Sequence, residues 1–191
     1  PIKQARLPVL LIFEGWSASG KGSIISKVIS ELDPRGYQVW SYADPTDEEG
    51  RRPLLWSFWR DLPPRGEMAV LDRSWYSRAL TRLGAASGLV ESINTFERQL
   101  GDDGYLILKF FLNISRREQK RRLEKLADHG ATAWRVTDRD WRRNREYAAR
   151  AEVTELLLQA TNPVHTPWHV VQNEDKTRGT LEVLRRVRDA L

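Results

Sequence analysis

The sequence lacks several features that would assign it to common classes of protein. It contains no cysteine, which excludes disulfides and thiolate-bound metal ions. Its histidines, His129, His165 and His169, do not cluster at metal-ligand spacing, and none stands beside a nucleophile with an orienting acid. No apolar run approaches the roughly 20 residues that cross a membrane, and the first residues do not resemble a signal segment. We therefore expect a cytoplasmic protein with no membrane partner.

The composition predicts one globular domain over residues 1–191 with an excess of positive charge. The chain has 40% hydrophobic and 30% charged residues, which is typical of a folded domain with a well-buried core. The net charge is +5 and the sequence pI is about 9.7. This balance favours an anionic partner such as a nucleotide, a nucleic acid or another polyanion. An ordinary basic surface is the alternative interpretation.

A glycine-rich loop with a lysine, residues 14–23, stands between a strand-like and a helix-like run. The spacing Gly-x-x-x-x-Gly-Lys is that of phosphate-binding loops, where backbone N–H groups, a helix start and the lysine converge on phosphate oxygens. Gly22 stands where Ser or Thr usually offers a hydroxyl to magnesium. The alternative is a glycine turn with an exposed lysine. We expect the following residues to bind phosphate: Gly15, Ser17, Ala18, Ser19, Gly20, Lys21, Gly22 and Ser23.

Strand-like and helix-like segments alternate five times. Strands are expected at residues 9–13, 37–42, 68–71, 105–112 and 168–171, and helices include 23–32, 51–62, 89–100, 137–159 and 176–191. Loops are expected at the acidic segment 44–49 and at 81–88. This alternation predicts a parallel sheet covered on both faces, with ligands at the C-terminal ends of its strands. The predicted fold class is α/β, a three-layer α/β/α P-loop kinase-like fold with a five-stranded parallel sheet and a helical lid.

Asp72 is the candidate metal ligand because it closes the third apolar strand. A carboxylate at that end of the strand lies beside the phosphate loop, where it can hold Mg²⁺ or its waters. Asp72 is also a plausible helix N-cap, and both interpretations are compatible. Arg73 and Arg78 flank it and could contact an acceptor phosphate. Lys21, Asp72 and Arg73 are therefore the predicted catalytic residues.

An arginine-rich segment, residues 116–145, follows the fourth strand. In small phosphate-loop kinases this region is a lid whose arginines close over the transferred phosphates, so we expect a lid over roughly residues 115–150. Thr137 and Asp140 resemble a capping box that opens a second basic helix, although Asp replaces the usual Glu or Gln. A solvated charged face is the alternative. The candidate polyphosphate ligands are Arg78, Arg117, Lys120, Arg121 and Arg122, and the second basic helix carries Arg139, Arg142, Arg143 and Arg145.

Several motifs, in order along nearly the whole chain, resemble the polyphosphate kinase 2 family. They include Glu-Gly-Trp…Gly-Lys-Gly at residues 14–22, Arg-Pro-Leu-Leu-Trp at 52–56, Asp-Arg-Ser-Trp-Tyr at 72–76 and Trp-Arg-Val-Thr at 134–137. The resemblance implies a P-loop kinase fold, Mg²⁺ dependence and phosphoryl transfer between inorganic polyphosphate and AMP, ADP or GDP. It also implies a groove of Lys and Arg for polyphosphate, a helical lid, and a homodimer or tetramer. No nucleic acid partner is expected.

The chain departs from the family pattern at two places. The family loop usually reads Gly-x-Asp-x-x-Gly-Lys-Gly, and Ser17 replaces that Asp. Residues 81–84 read Thr-Arg-Leu-Gly, where many members have an acidic Glu-Arg-Val segment. These departures leave open a catalytically weakened domain, such as the non-catalytic half of a tandem protein, that binds polyphosphate or a partner. A further alternative is an ATP-dependent small-molecule or nucleotide kinase of the same fold.

Overall fold

The structure, a computed structural model, describes residues 2–42, 45–82 and 88–191. Its strands form a parallel sheet in the order β2-β3-β1-β4-β5, so β1 lies at the centre. The predicted α/β class and five-stranded parallel sheet are confirmed. The strands are Val9–Gly15 (β1), Tyr37–Ser41 (β2), Met68–Asp72 (β3), Leu106–Asn113 (β4) and Trp168–Gln172 (β5).

The register of the central strands brings the chemically important residues to one edge of the sheet. Phe13 of β1 pairs with Asp72 of β3, and Gly15 pairs with Leu112 of β4. Because all strands run in parallel, their C-terminal ends meet there. The loop after β1 and the carboxylate that ends β3 are consequently neighbours, as the strand order predicted.

Helices cover both faces of the sheet, which explains why β1 is apolar over nearly its whole length. They are Ile2–Ala5 (α1), Lys21–Ile29 (α2), Asp47–Gly50 (α3), Trp56–Arg60 (α4), Trp75–Arg82 (α5), Leu89–Asp102 (α6), Arg116–Asp128 (α7), Asp138–Arg145 (α8), Tyr147–Ala160 (α9) and Lys176–Ala190 (α10). Short 3-10 turns lie at Pro34–Gly36 and Ala133–Arg135.

Two hydrophobic clusters form the core, one on each face of the sheet. Side chains of β1 alternate between them: Leu11 and Phe13 face α2 and α10, whereas Leu10 and Ile12 face α5 and α6. Trp75 and Tyr76, which follow the third strand, are buried in the second cluster. The start of α5 is therefore fixed by packing close to the edge where the phosphate loop lies. None of the described helices is long and apolar enough to cross a membrane.

Several predicted segments differ from the structure. The helix expected over residues 51–62 is limited to α4. Pro53 disfavours a helical conformation of the residue before it, so the helix does not begin at Arg51. The acidic loop contains α3, which Thr46 and Glu49 close with a capping box. The helix expected over 137–159 is divided at Glu146 into α8 and α9. Residues 81–82 of the second expected loop belong to α5. Residue 44 and residues 83–87 of the expected loops lie outside the described residues.

Candidate active site

The loop between β1 and α2 adopts the geometry that a bound anion requires. Gly20 has φ 99° and caps α2, which begins at Lys21, so the N-terminus of the helix faces the loop. Gly15 has φ 138°, and a Cβ there would lie 2.5 Å from the Leu112 carbonyl oxygen of β4. Glycine is thus required at position 15 both by the backbone conformation and by the closeness of β4. Ala18 also has positive φ, at 59°.

Lys21 lies at the centre of the loop. Its Nζ donates to the carbonyl oxygens of Gly15 at 3.0 Å and Trp16 at 3.2 Å, which leaves one ammonium proton for a bound anion. Burial lowers the pKa of Lys21, and the negative charge of Asp72 opposes that shift. An anionic phosphate at this position would therefore stabilise the charged lysine.

Three side chains hold the loop from its outer side. The buried guanidinium of Arg122 on α7 donates to the carbonyl oxygens of Ala18 at 3.3 Å and Ser19 at 3.0 Å. Its second amino group donates to the carbonyl oxygens of Asn173 at 2.6 Å and Glu174 at 3.0 Å. The Asn173 side chain also donates to Ser19 O at 2.6 Å, and Gln119 donates to Ser17 O at 3.3 Å.

Asp72 has the properties of a cation ligand. Its Oδ1 is buried and has no hydrogen-bond partner within the described residues. Glu14, the other carboxylate nearby, is fully used, because it accepts hydrogen bonds from Ser74 and Ser77. Among residues 2–42, 45–82 and 88–191 no group of three or more His, Asp or Glu could hold a metal ion. Mg²⁺ commonly uses one or two carboxylates with water and substrate phosphates, so Asp72 fits a substrate-bridged ion.

One cavity, the α9 cavity, lies between the loop, α5, α8 and α9, and its volume is about 370 Å³. Burial and the charges of Arg139, Arg73 and Arg150 lower the pKa of Arg143 there. Such mutual repulsion among cations would be relieved by a bound polyanion. Aromatic and aliphatic side chains complete the wall, among them Trp16, Tyr42, Leu80, Phe111 and Val153.

A second cavity, the α7 cavity, lies between the loop, Asp72 and α7, and its volume is about 470 Å³. One wall carries positive charge from Lys125, Arg135 and Lys176. The loop forms the opposite wall with Gly20, Gly22 and Ser23. Lys21 and Arg73 line both cavities. The two cavities thus meet at the phosphate loop, beside these two cations.

Ser17 contacts the lid. Burial opposes ionisation of Asp140 on α8, yet hydrogen bonds from Thr137 and Ser17 lower its pKa. Thr137 N and Oγ1 donate to Asp140 Oδ2 at 3.0 and 2.7 Å. The bond from Thr137 N is the one that the Asp140 side chain accepts in the predicted capping box. The lid therefore carries a carboxylate to the place where the loop has serine.

A family model described as polyphosphate kinase 2 matches residues 1–191. The chain belongs to the polyphosphate kinase 2 family. The polyphosphate:AMP phosphotransferase of Pseudomonas aeruginosa is 33% identical over 190 residues, which are 96% of this chain and 38% of that protein. The ADP-polyphosphate phosphotransferase of the same organism is 30% identical over 94% of this chain and 61% of its own length. The chain thus spans less than two thirds of both relatives, and less than half of the first.

A solved member of the family has the same fold. The crystal structure of polyphosphate kinase 2 from Arthrobacter aurescens TC1 superposes with a TM-score of 0.92 at 31% identity. The superposition covers 97% of this chain and 68% of that one. The P-loop kinase-like fold predicted from the strand order is therefore that of the polyphosphate kinase 2 family.

The structure brings together only part of the residues that the sequence analysis selected. The loop residues, Asp72 and Arg73 converge, but Arg117, Lys120 and Arg121 are exposed on α7 and line neither cavity. Lys120 and Arg121 form ion pairs with glutamates of α7 instead. Arg78 lies on α5 rather than the lid, and its guanidinium donates to Ser57 and Glu49 at the edge of the α9 cavity.

The lid arginines that do line the α9 cavity lie further along the chain. Arg139 and Arg143 of α8 were recognised as basic but not selected as ligands, and Arg150 of α9 was missed. The spacing of four residues between Arg139 and Arg143 places these two on one side of α8, which is a signal that the sequence contains, whereas Arg150 belongs to α9. In the α7 cavity, Lys125 was predicted on the first basic helix and Arg135 in a family motif, but neither was predicted as a ligand, and Lys176 was missed. Nothing local distinguishes them from other basic residues of this family member.

Proposed function

We propose that this chain is a phosphotransferase that moves a phosphoryl group between inorganic polyphosphate and a nucleoside mono- or diphosphate. The meeting of two basic cavities at Lys21 and Arg73 carries this proposal. Two anionic substrates, one in each cavity, would bring their terminal phosphates together at these cations. Membership of the family, and the names of the phosphotransferases to which the chain is similar, support the same reaction.

The reaction needs positioning and charge compensation more than covalent chemistry. A terminal phosphate oxygen of the nucleotide attacks the terminal phosphorus of polyphosphate. A new P–O bond forms, the bridging P–O bond breaks, and polyphosphate leaves one phosphate shorter. Negative charge spreads over the oxygens of the transferred group, where the Lys21 ammonium, the loop N–H groups and the Arg73 guanidinium would stabilise it.

The linings of the two cavities favour different substrates. The α7 cavity offers Lys125, Arg135 and Lys176, and no Trp, Tyr or Phe among its described lining residues, which suits the repeating charges of polyphosphate. The α9 cavity combines arginines with the rings of Trp16 and Phe111, which suits a nucleotide, since a base needs an apolar wall and its phosphates need cations.

Asp72 is the residue that would hold Mg²⁺, together with water and the phosphate oxygens of the substrates. The buried Asp72 Oδ1, which lacks a hydrogen-bond partner within the described residues, supports this assignment. A bound ion would neutralise charge on the phosphates and help to align them. Assembly into a homodimer or tetramer stays a prediction.

Two alternatives make different predictions about activity. In a weakened domain, Ser17→Asp would raise the rate from a low level, because it returns a carboxylate to the loop. An ATP-dependent kinase of the same fold would phosphorylate its acceptor from ATP when polyphosphate is absent.

The experiment supplies Mg²⁺ and AMP, ADP or GDP to the purified chain, with either polyphosphate or ATP as the donor. We expect a higher nucleotide to form from polyphosphate with at least one acceptor, at a rate that Ser17→Asp does not raise substantially. Product formed from ATP alone would support the ATP-dependent kinase. Product that appears only with Ser17→Asp would support the weakened domain.

A further inference from the structure

Glu14 is a buried carboxylate at the site whose contacts indicate a role other than catalysis or metal binding. It is 4% exposed and lies at the end of β1, one residue before Gly15. Its Oε1 accepts hydrogen bonds from Ser74 N at 2.8 Å, Ser74 Oγ at 2.9 Å and Ser77 N at 3.1 Å. Its Oε2 accepts from Ser77 Oγ at 2.6 Å. Both oxygens are therefore occupied by the start of α5.

The residue that these hydrogen bonds immobilise is Arg73. Arg73 has φ 67°, a left-handed conformation that costs a non-glycine residue roughly 1–2 kcal/mol. The Arg73 N–H donates to the Phe13 carbonyl oxygen at 3.0 Å, and Glu14 holds the next residue, Ser74. Adjacent residues of β1 thus fix both sides of the turn that carries Arg73.

This turn determines where the Arg73 guanidinium lies. Arg73 lines both cavities, and its guanidinium donates no hydrogen bond to any of the described residues. Nothing in the described part of the chain therefore holds its side chain by hydrogen bonding, so its position depends on its backbone. A turn released from Glu14 could relax Arg73 out of the left-handed region and move its guanidinium away from the meeting point of the cavities.

We propose that Glu14 is a positioning residue, which holds the turn at residues 72–74 so that Arg73 points between the two cavities. This inference rests on the proposed phosphotransferase function. It treats the carboxylate of Glu14 as a hydrogen-bond acceptor, not as a proton carrier or a ligand of the metal ion. An amide would therefore substitute for it. In Glu14→Gln the oxygen still accepts from Ser74 N and Ser77 N, and the new NH₂ group donates to Ser77 Oγ.

The test compares kcat for polyphosphate-dependent transfer in Glu14→Ala, Glu14→Gln, Arg73→Ala and the double variant Glu14→Ala/Arg73→Ala. We expect Glu14→Ala to lower kcat about 100-fold, the scale of a 1 Å misplacement in an active site. Glu14→Gln should restore kcat to within about fivefold of wild type, since neutral acceptors keep roughly half the strength of such bonds. In the Arg73→Ala background, Glu14→Ala should lower kcat by less than about threefold further, because the effects of residues that act through one another are not additive.

Each alternative has its own outcome. If Glu14→Gln is as inactive as Glu14→Ala, the charge of Glu14 matters and the positioning role is wrong. If Glu14→Ala lowers kcat in the Arg73→Ala background by as large a factor as it does in wild type, the positioning role is likewise wrong. Should Glu14→Ala fail to fold, Glu14→Gln alone decides between these outcomes. If wild type transfers no phosphate, the proposed function fails. The positioning role is then tested by NMR of the Arg73 Nε–H group. Its chemical shift should differ from that of wild type in Glu14→Ala and match wild type in Glu14→Gln.

Discussion

Removal of the Arg122 side chain should destabilise the phosphate loop, because Arg122 supports the loop from behind as well as lining the α7 cavity. Arg122 is 6% exposed in its side chain and forms an ion pair with Glu118 at 2.6 Å. Arg122→Ala takes a donor from the carbonyl oxygens of Ala18, Asn173 and Glu174. Ser19 O loses one of two donors, since Asn173 still donates to it. The loop therefore loses most of its connection to α7.

The magnitude follows from these contacts. Each buried carbonyl oxygen left without a partner costs about 1–3 kcal/mol, and entry of water reduces the sum. Glu118 keeps Arg121 as a partner, so the cost arises mainly from the three carbonyl oxygens, and we expect about 3–5 kcal/mol for Arg122→Ala. For a chain of this size each kcal/mol lowers Tm by roughly 2–4 °C, so Tm should fall by about 10 °C.

Arg121 provides the matched control. It is the next residue of α7 and binds the same carboxylate of Glu118, but its side chain is 65% exposed. An exposed pair contributes about 0.2–1 kcal/mol, so Arg121→Ala should alter the free energy of unfolding by less than about 1 kcal/mol. Urea unfolding, followed by tryptophan fluorescence, measures both variants. If Arg122→Ala is no less stable than Arg121→Ala but binds polyphosphate more weakly, Arg122 is a ligand of polyphosphate and not a support of the loop.

Two further predictions concern the lid. Arg143→Ala removes a cation from the α9 cavity, so it should raise the KM for the nucleotide about tenfold or more through loss of a charged hydrogen bond. Arg142 is the exposed neighbour, and Arg142→Ala should change the KM little. Equal effects of the two substitutions would contradict the assignment of the nucleotide to this cavity. Hydrogen bonds from Arg121 lower the pKa of Glu118 from its usual 4.5 to about 2. Its contribution to stability is therefore complete above pH 4.5 and is lost as pH falls through about 2. The free energy of unfolding of wild type should fall more steeply from pH 5 to 2 than that of Glu118→Gln.

The sequence predicted those features of the site that depend on local pattern. Gly15, Gly20 and Lys21 have the fixed spacing of a phosphate loop, and they lie in the loop between β1 and the start of α2, where that spacing placed them. Asp72 could be placed beside them because parallel strands end at the same edge of a sheet. Both inferences need only the chain order and the strand direction, which a periodic apolar pattern supplies.

The roles of individual basic residues could not be predicted in the same way. Arg121 and Arg122 are adjacent on one helix, yet one is exposed and the other buried against the loop. Which of the two faces inward depends on how α7 packs, and charge alone carries no such information. Lys109 illustrates the same limit: it lies in the apolar run of β4 but is fully buried in an ion pair with Glu97 at 2.7 Å.

The sequence predicted only some of the helix ends and helix breaks. Pro53 lies between α3 and α4, and a helix break at this proline could have been read from the sequence. The break at Glu146 between α8 and α9 has no glycine or proline to mark it. Hydrogen bonds to distant residues hold the chain on both sides of this break. Tyr147 donates to Ile114 O at 2.7 Å, and Asn144 donates to the Gln119 side chain at 2.8 Å. Such contacts between distant segments are absent from any local pattern.

The central claim is that the phosphate loop transfers phosphoryl groups with Lys21 as its principal cation. It is tested most directly by one assay of wild type beside Lys21→Ala, with Mg²⁺, polyphosphate and either AMP or ADP. We predict that wild type forms the next higher nucleotide. In Lys21→Ala the rate should fall at least about 100-fold, because a charge that stabilises the transition state is lost. No product from wild type, or equal rates for the two proteins, would contradict the account.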